Sequence, residues 1–217
     1  NMTELTEQEY KPIISRKITI DTCKKYNYKF AKYKNELVHV ADYGNGAYKL
    51  RFKDKRFSWL GDAKNTGLFG EQLFRNSGKR LTLVEGELDC LSVSQVYGNQ
   101  WPCVSLKNGA HSAVKDVTKS LEFLSSYDEI IICFDQDEPG IKAAKQVAEL
   151  FQPGQAKIAT LPMKDANEML VAGRTKELLN CLWDAKVFRP DGIVEASELL
   201  DKVVNKEVVE TINYPFP

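Results

Sequence analysis

Short apolar runs alternate with helix-like spacing over the second half of the chain. Runs of β-branched and apolar residues bounded by polar turns are typical of buried strands, whereas apolar residues every three to four positions are typical of amphipathic helices. The predicted strands are Leu81–Val84, Pro102–Ser105, Ile130–Phe134 and Lys157–Thr160. The predicted helices are Glu87–Tyr97, Ser112–Leu124, Gly140–Phe151, Ala166–Val171 and Thr175–Trp183. This alternation predicts a parallel sheet with right-handed crossovers.

The first part of the chain has a strand-like alternation instead. One short helix is predicted over Ile18–Tyr26, where Thr19 or Asp21 can cap the first turn. The predicted strands that follow are Tyr28–Tyr33, Leu37–Asp42, Ala47–Phe52 and Phe57–Leu60. Lys34-Asn35 and Gly44-Asn45-Gly46 separate the first three, and such residues favour tight hairpin turns. The pattern therefore predicts an antiparallel meander.

These patterns predict the α/β class, with an α+β N-terminal subdomain. Residues 1–10 are polar and are expected to be disordered. A basic, strand-rich subdomain is predicted over residues 11–78, and a domain with a parallel central sheet flanked by helices over residues 79–187. Residues 188–217 are expected to begin a linker.

Composition narrows the class of protein. No segment approaches the roughly 20 apolar residues of a membrane-spanning helix, and the N-terminus lacks the apolar region of a signal peptide. The five cysteines are scattered without CxxC spacing, which favours a reducing cytoplasm and argues against a zinc site. The net charge is zero, yet residues 11–64 carry fourteen Lys and Arg against five Asp and Glu. Such a basic region suits a polyanion, although a solvated surface has the same composition.

Carboxylates stand where two predicted strands end. Glu85 follows the strand ending at Val84, and Asp135 and Asp137 follow the strand ending at Phe134. Ligands bind beyond the carboxyl ends of parallel strands, so these three acids would meet at one edge if the strands are neighbours. Crowded carboxylates require a cation, and Mg²⁺, with Mn²⁺ as an alternative, prefers oxygen ligands and often binds together with phosphates. Asp137 can alternatively cap the following helix.

A comb of cations, meaning Lys and Arg residues at alternate positions of one predicted strand, forms the second part of the candidate site. In KLRFKDKRF, read as one strand, Lys49, Arg51, Lys53 and Lys55 share one face. A solvated edge strand protected by lysines is the competing interpretation.

Two glycines complete this candidate site. Gly86 would permit close approach of a substrate to the backbone, and the loop at Gly109 could present amide groups to a phosphate.

A set of motifs resembles a known family. They are KLRFKDKRF, GLFG, VEGELD, VSLKNGA, CFDQDEPG and LPMKDANE, in an order and spacing that fit over roughly residues 12 to 195. Together they are similar to the Toprim-containing RNA polymerase (primase) domain of bifunctional bacteriophage primase-helicases, which are related to mitochondrial Twinkle. The resemblance implies a Toprim fold for the second domain.

The resemblance also implies roles for individual residues. Glu85 would act as general acid or base on the attacking 3′ hydroxyl, and Asp135 and Asp137 would hold the metal. Asp165 would have a metal or supporting role, although it can simply cap a helix with Glu168 as its partner. Lys49 and Lys55 would contact the triphosphate of a nucleotide, with Arg51 and Lys53 as flanking basic residues.

The implied activity is DNA-dependent synthesis of RNA primers on single-stranded DNA from ribonucleoside triphosphates, in the host cytoplasm. A zinc-binding module and a hexameric helicase would complete the full-length protein. This chain carries no GxxxxGK[ST] motif for ATP hydrolysis. Two alternatives stay open: a non-catalytic, Twinkle-like single-stranded DNA-binding module, and a Toprim nuclease.

Overall fold

A computed structural model of the chain describes residues 4–189 and 192–194, and the remaining residues of the predicted linker lie outside the described part. The strands of a first sheet are β1 Leu5–Glu9, β2 Tyr28–Tyr33, β3 Glu36–Asp42, β4 Tyr48–Phe52 and β5 Phe57–Leu60. The strands of a second sheet are β6 Gly78–Val84, β7 Cys103–Ser105, β8 Tyr127–Cys133, β9 Ala156–Ile158, β10 Lys186–Arg189 and β11 Gly192–Val194. The helices are α1 Ile20–Tyr26, α2 Glu87–Val96, α3 Ala113–Lys119, α4 Leu121–Ser125, α5 Glu138–Ala148, α6 Ala166–Val171 and α7 Thr175–Trp183.

The first sheet is the predicted antiparallel meander with one added strand. Its order is β1-β2-β3-β4-β5. Residues 5–9, expected to be disordered, instead form an edge strand in which Leu5 pairs with Tyr33. Leu5 is buried against the core of this sheet, while the next four residues are exposed. A single apolar anchor on an otherwise polar edge strand is a weak sequence signal, which explains why the strand was not predicted.

The second sheet contains the predicted parallel strands in the order β11-β10-β9-β8-β6-β7. Strands β6, β7, β8 and β9 run parallel, and β10 and β11 add antiparallel strands at one edge. The sheet therefore continues past residue 187, where the linker was expected to begin. The helix predicted over residues 112–124 is divided at Ser120, which leaves the helical backbone conformation with a ψ of 16°.

The two sheets share one hydrophobic core. Tyr26 from the first part of the chain stacks on Phe69 at a ring-centroid distance of 5.3 Å, and the tilted ring of Tyr43 contacts Phe69 at 5.4 Å. The hydroxyl of Tyr26 donates to the carbonyl of Cys103 in β7 at 2.7 Å. These contacts pack the basic subdomain against β7 of the parallel sheet. All five cysteines are free thiols, and no helix among residues 4–189 has the length and apolarity to cross a bilayer.

His39 makes the stability of this sheet sensitive to acid. Its Nδ1 and the buried hydroxyl of Tyr28 are hydrogen-bonded at 2.8 Å, and burial, with Arg51 and Arg16 nearby, lowers the pKa of His39 from 6.5 to about 4. As the pH falls, His39 is protonated in the unfolded chain before it is protonated in the folded protein. The folded protein is therefore unaffected above pH ~6.5 and loses stability progressively between about pH 6.5 and 4.

We expect His39→Gln to be less acid-sensitive than the wild type. The difference in unfolding free energy between pH 7 and pH 4.5 should shrink by roughly 2 kcal/mol, as measured by urea denaturation. Carboxylates titrate in the same range in both proteins, so the comparison isolates the histidine. Equal pH dependence in the two proteins would show that His39 is not held neutral.

Candidate active site

The carboxyl ends of β6 and β8 bring two acids into contact. These strands are parallel neighbours, with Val84 opposite Cys133. Glu85 and Asp135 therefore leave the sheet side by side, and the backbone N–H of Asp135 donates to Oε1 of Glu85 at 3.3 Å. The packing of α5 against this loop requires a glycine, because a Cβ on Gly140 would lie 2.2 Å from the carbonyl oxygen of Asp135.

A second pair of acids completes an acidic cluster. Asp89, in the first turn of α2, and Asp165, which precedes α6, join Asp135 so that one carboxylate oxygen from each lies within 4.8 Å of the others. Asp89 is buried, and its Oδ1 accepts the backbone N–H of Asn167 at 3.0 Å. Three elements that are distant in sequence thus supply one cluster of oxygen donors.

The cluster is electrostatically strained as it stands. Burial and the charges of Glu85 and Asp165 raise the pKa of Asp135 to about 7. Burial also raises the pKa of Glu85, although the N–H of Asp135 opposes this shift. The pKa of Asp89 is raised well above its usual range by burial and by repulsion from Asp165. A positive charge placed among these groups would favour their ionised forms.

The donor set fits a hard divalent cation. Three carboxylates converge, and hard ions such as Mg²⁺ and Mn²⁺ prefer oxygen ligands. The donors do not fit a structural zinc site, which usually uses Cys and His ligands. The residues that would hold the ion are Asp89, Asp135 and Asp165, with Glu85 adjacent.

Two of the predicted metal-binding aspartates also cap helices. Oδ1 of Asp137 accepts the backbone N–H of Gly140 at 2.8 Å, which makes Asp137 the N-cap of α5. Oδ1 of Asp165 accepts the N–H of Glu168 at 2.8 Å, which makes Asp165 the N-cap of α6. The alternative interpretation as caps is therefore confirmed for both. Asp165 belongs to the cluster as well, whereas Asp137 is not among the described residues that line the adjoining cavity.

A cavity of about 750 Å³ joins the acids to a basic wall. Arg51 and Lys49 lie on one face of β4, as predicted, but the strand ends at Phe52 and the chain turns there. Lys55 reaches the cavity from this turn, while Lys53 lines a neighbouring cavity with Phe30 and His39. The prediction that Lys49 and Arg51 share one face of a strand is therefore confirmed, whereas the prediction that the strand continues through Lys53 and Lys55 is wrong.

Lys49 is buried inside this wall. Its ammonium group lies 2.8 Å from Oε1 of Glu87 in α2, and both side chains are about one-tenth exposed. The same ammonium donates to the carbonyl of Lys107 at 2.5 Å, and the hydroxyl of Tyr43 donates to Glu87 at 2.5 Å. In this arrangement Lys49 joins β4 to α2.

The two predicted glycines line the same cavity. Gly109 has a φ of +78°, which favours glycine over residues with a side chain. Gly86 has an extended φ of −134°, and an added Cβ there would make only ordinary contact with Asp89. The backbone therefore calls for glycine at residue 109 and tolerates other residues at 86.

The structure adds three residues to the predicted site. Asp89 lies four residues after Glu85, in the first turn of α2. Because the predicted helix begins at Glu87, the sequence already placed Asp89 next to the end of the preceding strand. Arg16 and Asn167 line the cavity from opposite halves of the chain. No local pattern in the sequence connects these two residues, since their contact depends on how the subdomains pack.

Comparison with known proteins agrees with this architecture. Residues 82–170 match the Toprim-like family model. Residues 8–61 match the model of the bacteriophage T7 DNA helicase/primase N-terminal α+β fold. The chain is 38% identical over 199 residues to the DNA helicase/primase of Enterobacteria phage T3, an alignment that covers 89% of this chain and 35% of that protein.

Two solved structures are also similar. The primase fragment of the bacteriophage T7 primase-helicase superimposes with a TM-score of 0.78 at 36% identity, covering 82% of this chain and 76% of that one. A second structure contains T7 lagging-strand DNA polymerase interacting with primase domains of two gp4 subunits bound to an RNA/DNA hybrid and dTTP. It matches with a TM-score of 0.80 at 35% identity, covering 87% of this chain and 97% of that one.

The acids at the strand ends and the parallel sheet define a Toprim-like protein. More specifically, the chain belongs to the family of T7-type phage primase-helicases and corresponds to their primase region. The chain spans 35% of the length of the T3 relative. The predicted family and fold class are confirmed, while the relation to Twinkle stays a prediction.

Proposed function

We propose that this chain is the catalytic region of a DNA primase, which joins ribonucleotides into short primers on a single-stranded DNA template. The observation that carries the proposal is one cavity with an acidic wall, Glu85 and the Asp89, Asp135 and Asp165 cluster, opposite a wall that contains Arg51 and Lys55. Joining a nucleoside triphosphate to a ribose hydroxyl requires both walls: donors for a cation and positive groups for phosphates.

The chemistry of each side chain suggests a separate role in this reaction. Glu85 lies beside the cluster and has a raised pKa, which makes it a stronger base for the proton of the attacking 3′ hydroxyl. Arg51 and Lys55 would orient the triphosphate across the cavity. When bound, Mg²⁺, or Mn²⁺ in its place, would neutralise charge on the reacting phosphates. Asp137 would support this site by fixing the start of α5 beside Asp135.

A dinucleotide synthesis assay tests the proposal. The chain is incubated with single-stranded DNA of mixed sequence, all four ribonucleoside triphosphates and Mg²⁺, and the labelled dinucleotide product is measured. The family resemblance leads us to expect slow synthesis from this chain alone and faster initiation when a zinc-binding module is supplied. Cleavage of the DNA with Mg²⁺ and no nucleotides would instead indicate a Toprim nuclease. DNA binding without either reaction would indicate a non-catalytic module.

Lys55 and Lys53 provide a matched pair of variants. Both lysines are exposed and line the neighbouring cavity, but Lys55 also lines the cavity with the acids, whereas Lys53 does not. We expect Lys55→Gln to raise the KM for the nucleotide about tenfold, because a charge-assisted contact with phosphate is lost. Lys53→Gln should change this KM less than about twofold. Equal effects of the two substitutions would show that the basic residues act only as a diffuse positive surface.

The remaining partners belong to the proposed longer protein. The zinc-binding module would select the template, and a hexameric helicase would deliver it. The basic region over residues 11–64 suits the template backbone, and the host cytoplasm would supply ribonucleoside triphosphates.

A further inference from the structure

Asn167 connects the two walls of the cavity. Its side chain is 2% exposed, although it lies beside the charged groups of the site. Its Nδ2 donates to the carbonyl of Arg16 at 3.1 Å and to Oγ of Ser92 at 2.9 Å. Its Oδ1 accepts from Nη1 of Arg16 at 3.2 Å. Both donor hydrogens and the acceptor of this buried amide are thus used, and two of the three bonds go to one residue.

The same residue contacts the acidic cluster through its backbone. The N–H of Asn167 donates to Oδ1 of Asp89 at 3.0 Å. One residue therefore fixes an acid through its main chain and a cation through its side chain. Arg16 is the last residue of a short 3-10 helix far from Asn167 in sequence, and the Asn167 amide hydrogen-bonds both its backbone carbonyl and its guanidinium.

The chemistry of the amide decides what Arg16 can do. A carboxylate at this position would neutralise the guanidinium, as Glu87 pairs with Lys49. A neutral amide orients Arg16 and leaves its positive charge uncompensated by this contact. Arg16 lines the cavity that contains Arg51 and Lys55 and also lines the neighbouring cavity, so this charge faces the space where the proposed substrate would bind.

We propose that Asn167 is a positioning residue that holds Arg16 over the cavity, where its guanidinium binds a phosphate of the nucleotide. The inference rests on the proposed function and deepens it, because it adds a cation and its support to the basic wall. A side chain with a purely structural role would instead affect folding without changing nucleotide affinity.

The test is a double-mutant cycle with Arg16→Gln, Asn167→Ala and the double variant. ATP affinity in the presence of Mg²⁺ is measured by calorimetry, KM and kcat by the dinucleotide assay, and stability by thermal unfolding. We expect each single variant to weaken ATP binding and raise KM about tenfold, with little change in kcat. The double variant should be no weaker than Arg16→Gln alone, since both substitutions remove the same contact.

Two further variants separate positioning from packing. Asn167→Asp keeps the size of the side chain and adds a negative charge beside Arg16, so it should weaken ATP binding at least as much as alanine. Ser92→Ala removes one partner of Asn167 without touching Arg16 and should leave ATP affinity within about twofold of wild type.

Specific outcomes would overturn the inference. Additive effects in the double variant, or unchanged ATP affinity in Arg16→Gln, would refute the positioning role. Lower melting temperature with normal affinity in both Asn167 variants would assign Asn167 to packing alone. A wild-type chain that neither binds ATP nor makes dinucleotide would instead refute the proposed function itself.

Discussion

Replacing Asp135 by Asn will abolish dinucleotide synthesis and, in buffer without divalent cations, make the folded chain more stable. The loss of activity should be roughly a hundredfold or more, because a central oxygen donor of the acidic cluster loses its charge. The gain in stability follows from the raised pKa of Asp135, about 7. A carboxyl group whose pKa is higher in the folded state destabilises the fold once both states are ionised.

The pH dependence gives the sign of this effect. The destabilisation of the wild-type fold by Asp135 is absent below the usual pKa of about 3.8, grows as the pH rises, and is fully present above pH ~7. At pH 8 the variant should be more stable by about 1 to 2 kcal/mol, a value reduced because the group is only half buried. At pH 4 the difference should nearly vanish. Urea denaturation at the two pH values measures it.

Asp128→Asn is the matched control for Asp135. Asp128 is exposed at the other end of the same strand, so its replacement should leave activity and stability unchanged. Addition of Mg²⁺ should raise the melting temperatures of the wild type and of the Asp128 variant. The melting temperature of the Asp135 variant should rise much less. An active Asp135 variant, or one destabilised at pH 8, would contradict the assignment of a strained metal-binding cluster.

Replacing Lys49 by Met will destabilise the fold more than it affects nucleotide affinity. The substitution leaves the carboxylate of Glu87 buried without its cation, and breaking such a pair costs about 3 to 5 kcal/mol. In a chain of this size we expect the melting temperature to fall by roughly 10 °C. Because β4 and α2 belong to different subdomains, the loss should also loosen the cavity between them.

A second substitution and an exposed pair test this explanation. Lys49→Met combined with Glu87→Leu removes both charges and should recover part of the lost stability. Arg56→Met breaks exposed ion pairs with Asp54 and Glu36 and should leave the free energy of unfolding nearly unchanged, because solvent screens exposed pairs. A Lys49 variant with normal stability but a raised KM would favour the direct phosphate contact that the family resemblance implies.

The elements of the fold were largely predictable because their signals are local. The parallel strands, most helices and the meander follow from spacing that a short window of sequence contains. The strand at Leu5 was missed because one apolar residue carries its burial. The break at Ser120 was missed because apolar spacing continues across it. Each error concerns a place where tertiary packing outweighs a weak local pattern.

The sequence by itself predicted that Glu85 and Asp135 follow parallel strands and would meet at one edge if those strands were neighbours. The tertiary structure supplies that condition, because β6 and β8 are adjacent although β7 lies between them in sequence. Only the tertiary structure decided which groups surround them. Asp89 enters the cluster through the position of α2, and Lys49 pairs with Glu87 at the wall of the cavity. The physical reason is that strand exits are set by local periodicity, whereas contacts between subdomains depend on packing between residues far apart in the chain, such as Asn167 and Arg16.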